Sequence, residues 1–155
     1  MLKYVDYDIV GSEVPDEITL GITLSNCPFR CRGCHSPQLR KNIGIPLSDA
    51  VLEDLLFRYG DAITCVCFLG GDSDPLAVQR LAQRVHVVNN ILKVAWYSGS
   101  ASLPQSFDLS SFQYIKLGGY EESLGPLTSR STNQRFYQLT DQLELVDITY
   151  RFWKE

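Results

Sequence analysis

No stretch of this sequence approaches the roughly 20 uninterrupted apolar residues that a membrane-spanning helix needs. The opening, MLKYVDYDIVGSEVPDE, is acidic and does not resemble a secretion signal. Positive charge is also sparse: 14 Lys and Arg stand against 18 Asp and Glu, a net charge of −4. Those cations are scattered, which argues against a nucleic-acid surface. There is no repeat, low-complexity tract or charge run, and no Ser/His/Asp constellation. The five cysteines are odd in number and three of them crowd into one loop, so a disulfide framework of a secreted domain is excluded. A reducing compartment, the cytoplasm, is expected. What remains is an ordinary foldable composition, 45% hydrophobic over 155 residues. That is enough for one domain, residues 1–155, burying roughly 70% of its unfolded surface.

Several short apolar runs are each followed by turn residues. Ile18 to Leu24 (ITLGITL) reads as a buried strand ending at Ser25-Asn26, after a polar leader. Ser48 is placed to cap a helix carrying Val51, Leu52, Leu55, Leu56 and Tyr59, with Gly60 where a helix stops. Ala62 to Leu69 (AITCVCFL) is a second strand ending at Gly70-Gly71-Asp72, and Pro75 suits the first turn of a following helix. Leu92 to Tyr97 and Tyr114 to Leu117 read as third and fourth strands, ending at Ser98-Gly99 and Gly118-Gly119. The terminal LELVDITYRFW is expected to form an edge strand. This alternation predicts an α/β fold with a parallel sheet, whose ligand site collects the loops leaving the strands' C-terminal ends.

One such loop is SNCPFRCRGCHSPQ, with Cys27, Cys31 and Cys34. Pro28, Arg30, Arg32 and Gly33 lie between the thiols, so the three cannot all be core filler, and a shared ligand is expected. Structural zinc wants four ligands, usually as two separated pairs, and His35 follows Cys34 too closely for that spacing. Cys65 and Cys67 alternate within a strand and are expected to pack in the core. An iron–sulfur cluster takes thiolates, and three of them on a four-iron cube leave one iron open to substrate.

The pattern Cys27-x3-Cys31-x2-Cys34 resembles the signature of the radical S-adenosylmethionine (SAM) superfamily. Read together with SDAVLEDLL, FLGGDSDP, AWYSG, YIKLGGYEESLGPL and STNQRFYQL, it resembles the activating proteins of anaerobic ribonucleoside-triphosphate reductases over about Asp8 to Leu139. The resemblance implies an incomplete, open (β/α) partial barrel with a mostly parallel sheet. It further implies a [4Fe-4S] cluster on Cys27, Cys31 and Cys34, and SAM against Gly33, Cys34, His35, Gly70, Gly71 and Asp72. Reductive cleavage of SAM would give a 5′-deoxyadenosyl radical. That radical would take hydrogen from a glycine on the reductase's large subunit, the electron coming from a donor such as flavodoxin or ferredoxin. GGDSDP has two more residues before proline than the common motif, so Asp72 takes the acidic position by adjacency and Asp74 is the alternative. Arg130, Asn133 and Gln134 in SRSTNQR are either an internal turn network or a partner-facing surface. Two alternatives stand beside this reading: an activase of another glycyl-radical enzyme, and a non-enzymatic structural zinc module.

Overall fold

A computed structural model of the chain describes residues 1–29 and 36–153. The strands are β1 (Lys3–Val10), β2 (Thr19–Leu24), β3 (Ile45–Pro46), β4 (Cys65–Leu69), β5 (Lys93–Tyr97), β6 (Tyr114–Leu117), β7 (Arg135–Leu139) and β8 (Leu145–Asp147). The α-helices are α1 (Asp49–Tyr59) and α2 (Pro75–Val88). All eight strands join one sheet in the order β3-β1-β2-β4-β5-β6-β7-β8. Among the described residues, no helix is long and apolar enough to cross a membrane.

The centre of the sheet, β2-β4-β5-β6, is parallel, and antiparallel strands flank it on both sides. The sheet is therefore not mostly parallel: three of its seven ladders are parallel and four antiparallel. The difference comes from segments that read as polar. The expected leader folds as β1, a hairpin partner of β2, in which acidic Asp6 and Asp8 alternate with Val5, Tyr7 and Ile9. Of these five only Tyr7 is half-buried, and the others are exposed, so the strand meets water along most of its length. β7 likewise mixes Arg135 and Gln138 with Phe136 and Leu139. The terminal strand is the short edge β8, followed by a 3-10 turn at Thr149–Phe152.

Local signals explain both helices. Ser48 caps α1, its Oγ accepting from the Val51 amide at 3.2 Å. Gly60 ends it while keeping right-handed backbone and starting a 3-10 turn, so β4 begins at Cys65 rather than near Ala62. Asp74 caps α2 in front of Pro75. The third crossover, Ser98 to Gln113, has no helix. Phe107 and Phe112 take its place, with ring centroids 5.0 and 6.3 Å from that of Trp96.

Strand alternation divides the core into two layers. Leu20, Ile22, Val66, Phe68, Val94, Trp96 and Ile115 face α1 and α2. The opposite face carries Cys65, Cys67, Ala95, Tyr114 and Phe136, covered by Val14 from the β1–β2 loop and by Ile148, with Phe152 against it. Glu17, from the same loop, is buried beneath this face. Its Oε2 accepts from Lys93 Nζ at 2.9 Å and from Tyr114 OH at 2.8 Å. Burial opposes ionisation of Glu17, yet these partners together hold its pKa below the usual 4.5. A lowered folded-state pKa gives stability that is fully present above about pH 4.5 and is lost as the pH falls through the folded value. Acid unfolding followed by tryptophan fluorescence should therefore show wild-type stability falling as the pH drops below about 4.5. Glu17→Gln should show a shallower loss of stability below pH 4.5.

Candidate functional site

The strand register aligns Thr23, Leu69, Tyr97 and Lys116 as one row across β2, β4, β5 and β6. The row lies at the C-terminal ends of the four parallel strands, on the face away from the helices. Below it, the face is filled by the second core layer. Above it lies a cavity of about 360 Å³ lined by this row and Gly70, with Cys27, Phe29, Leu39 and Arg40 from the cysteine loop. Lys116 is buried and faces inward, its Nζ donating to the Gly118 carbonyl at 2.8 Å and lying 5.5 Å from the centre of the Tyr97 ring. No carboxylate lines this cavity among the described residues, so its fixed side-chain charge is positive.

The cysteine loop is tied at its base. Ser25 is buried, and its Oγ donates to the Ile43 carbonyl at 2.5 Å. Asn26 turns the chain with a φ of 60°. The amides of Asn26 and Cys27 then donate to the carbonyls of Lys41 and Leu39, at 3.0 and 2.8 Å. Cys27 Sγ sits 3.9 Å from the Phe29 carbonyl oxygen. Phe29 rests on Gly99, where an added Cβ would come within 2.7 Å of its ring. Cys31, Gly33, Cys34 and His35 lie outside the described residues. Among the described residues, no three His, Cys, Asp or Glu side chains gather as a metal would require.

The glycine pair after β4 divides its labour. Gly70 lines the cavity, its amide donating to the Tyr97 carbonyl at 3.0 Å and its own carbonyl accepting from Trp96 Nε1 at 2.7 Å. Gly71, with φ of 91°, turns to the helix side, where a Cβ would approach Val78 within 2.5 Å. Asp72 leans onto the loop after β5: its carboxylate accepts from Ser98 Oγ at 2.5 Å and from the Gly99 amide at 3.0 Å. Asp74 is the α2 cap, so the two acidic residues have different work, and neither lines the cavity.

Cys65 and Cys67 are fully buried in the second core layer. Burial above all pushes the Cys65 thiol up to about 12 and the Cys67 thiol well above its ordinary value, so both stay protonated and unreactive. The segment after Gly118-Gly119 is a turn network. Asn133 Nδ2 donates to the Gly119 carbonyl at 3.0 Å, Gln134 backs onto Gly118, and the Arg130 guanidinium stands 5.5 Å from the Trp153 ring centre. Tyr97 and Arg40 were not singled out from the sequence. Alternation from buried Trp96 places Tyr97 on the cavity face, whereas nothing in the sequence marks Arg40.

No protein-family model, curated protein or solved structure matches this chain.

Asp72→Ala removes both links between the β4 and β5 loops. It should lower stability by about 2 kcal/mol, the order expected for hydrogen bonds to a charged acceptor. Urea unfolding of the variant beside the wild type measures this.

Proposed function

We propose that this chain is a cytoplasmic radical SAM enzyme, the activase that installs the glycyl radical on the large subunit of an anaerobic ribonucleotide reductase. The observation that carries the reading is the position of Cys27, which lines one cavity with Gly70 and the C-terminal ends of β2, β4, β5 and β6. The donor set fits the group it would hold. Three thiolates, Cys27, Cys31 and Cys34, satisfy three irons of a [4Fe-4S] cluster and leave the fourth open. Cys27, Cys31 and Cys34 would hold that cluster, whose chemistry would be one-electron cleavage of SAM to methionine and a 5′-deoxyadenosyl radical able to take a hydrogen atom from the partner's glycine.

The chain's own residues bind and orient. On this reading Gly33, Cys34, His35 and Gly70 contribute to the SAM site; Gly71, expected there from the resemblance, turns instead against Val78, and Asp72 holds the β5 loop in place through Ser98 and Gly99. Lys116 and Arg40 give the cavity the charge that a carboxylate-bearing ligand requires. The apolar walls, Leu69 and Phe29 among them, lower the polarity of the cavity. An electron donor of the flavodoxin or ferredoxin kind would complete the system.

The deciding experiment is anaerobic reconstitution with iron and sulfide, reduction, addition of SAM and chromatography for 5′-deoxyadenosine. The nucleoside should form with the wild type and with Cys65→Ser and Cys67→Ser, but not with serine at Cys27, Cys31 or Cys34. Equal loss at all five positions, or a colourless air-stable protein with one tightly bound zinc, would overturn the assignment. Lys116→Ala should weaken SAM binding about tenfold, the equivalent of one charge-assisted hydrogen bond, in calorimetric titration of the reconstituted protein.

A further inference from the structure

The loop after β5 is a small platform tied on both sides. The Ser98 amide donates to the Lys116 carbonyl at 2.9 Å and the Gly118 amide to the Ser100 carbonyl at 2.7 Å, which joins the loop to β6 and its end. Asp72 joins it to the loop after β4, and Ser98 is buried. The Ser98 hydroxyl also accepts from the Ser100 amide at 3.0 Å, closing the turn around Gly99. Conformation does not demand glycine at this position: the φ of Gly99 is outside the left-handed region, unlike those of Gly70 and Gly118, at 104° and 107°. Contact does. A Cβ on Gly99 would come within 2.7 Å of Phe29 Cδ2 and 3.0 Å of Cε2, and the three atoms nearest to it all belong to that ring.

Phe29 stands two residues after Cys27 and reaches this platform from the cysteine loop. Its ring is half-buried and lines the cavity together with Cys27 and Gly70. The backbone bonds of Asn26 and Cys27, with the Ser25 hydroxyl, fix where the loop begins. The ring on Gly99 fixes how far the loop leans over the strand ends. Between Cys27 and Phe29 lies Pro28, whose ring locks its own φ near about −65° and restricts the residue before it. A displacement of the Phe29 ring is therefore passed to Cys27 and not absorbed by the link between them.

Resting on the function proposed above, we infer that Phe29 is a positioning residue for the cluster: seated on Gly99, its ring sets the placement of the Cys27 sulfur relative to the loops that border the cavity. Phe29 carries no charge and offers no ligand, so it acts through Cys27. Asp72, Gly99, Phe29 and Cys27 form one line of contacts and bonds. The acidic residue of the glycine motif does not line the cavity, yet through this line it reaches the cysteine loop. Close packing of a ring on a glycine leaves little slack, which is why a shift at one end is felt at the other.

The test is an exchange of size across the contact. In the full chain without iron, Cys27 is alkylated with iodoacetamide and its peptide quantified by mass spectrometry. After anaerobic reconstitution and reduction, the electron paramagnetic resonance spectrum is recorded with SAM. Gly99→Ala should raise the rate of Cys27 alkylation about tenfold, the scale on which overpacking displaces a side chain, and should change the spectrum. Adding Phe29→Leu to Gly99→Ala should restore both. Gly11→Ala, where a Cβ meets nothing within 4 Å, should alter neither. Phe29→Ala removes the ring without crowding and should also speed alkylation, which decides the matter where Gly99→Ala does not fold. Wild-type behaviour of Gly99→Ala or Phe29→Ala would overturn the inference, as would a loss that Phe29→Leu fails to relieve or an equal effect of Gly11→Ala. Absent 5′-deoxyadenosine in the wild type would sink the radical chemistry instead, while alkylation of the iron-free chain reports the contact on its own.

Discussion

Four parallel strands with apolar side chains on both faces must be covered on both faces, and this chain covers them by different means. Two helices and the Phe107–Phe112 pair close one side. On the other side the described residues provide no helix, only the loop around Val14 and the turn carrying Phe152. These small covers reach Cys67, Ala95 and Tyr114 but leave the row from Thr23 to Lys116 open at the strand ends. The cavity thus follows from an economy of covering chain, and each residue lining it is set by strand register before any ligand is considered.

Within that frame, polar groups divide between structure and site. Glu17, Asp72, Asp74 and Asn133 are spent on holding loops to strands and helices. Lys116 is turned toward the cavity. Tyr97 joins the cavity to the β1–β2 loop: its ring carries Lys116 above it and its hydroxyl donates to the Glu13 carbonyl.

The parallel centre was legible in the sequence because buried strands write themselves as continuous apolar runs bounded by glycine, and β6 occupies the expected Tyr114–Leu117. Of the flanking strands, the edge strand within LELVDITYRFW was legible, whereas β1 and β7 were not, because they mix polar with apolar residues and resemble polar linkers. The cavity cysteine and Gly70 could be anticipated from their position after strands. The partners of Asp16 and Glu17 could not, because Lys93, Tyr114 and Arg151 are distant in sequence. The competition between Asp72 and Asp74 was equally closed to sequence, for both stand before the same proline and only the Ser98 hydroxyl separates their roles.

The hydrogen bonds that the Asn26 and Cys27 amides donate to the Lys41 and Leu39 carbonyls have a consequence for affinity. They turn the cysteine segment into a closed ring before anything binds to it. The entropy of bringing its ends together, which grows only with the logarithm of loop length, is met by the backbone and not by an incoming ion. On the function proposed above, a ligand shared by the thiols of this segment would meet ends that the fold has already joined, so its uptake need not be coupled to folding of the sheet.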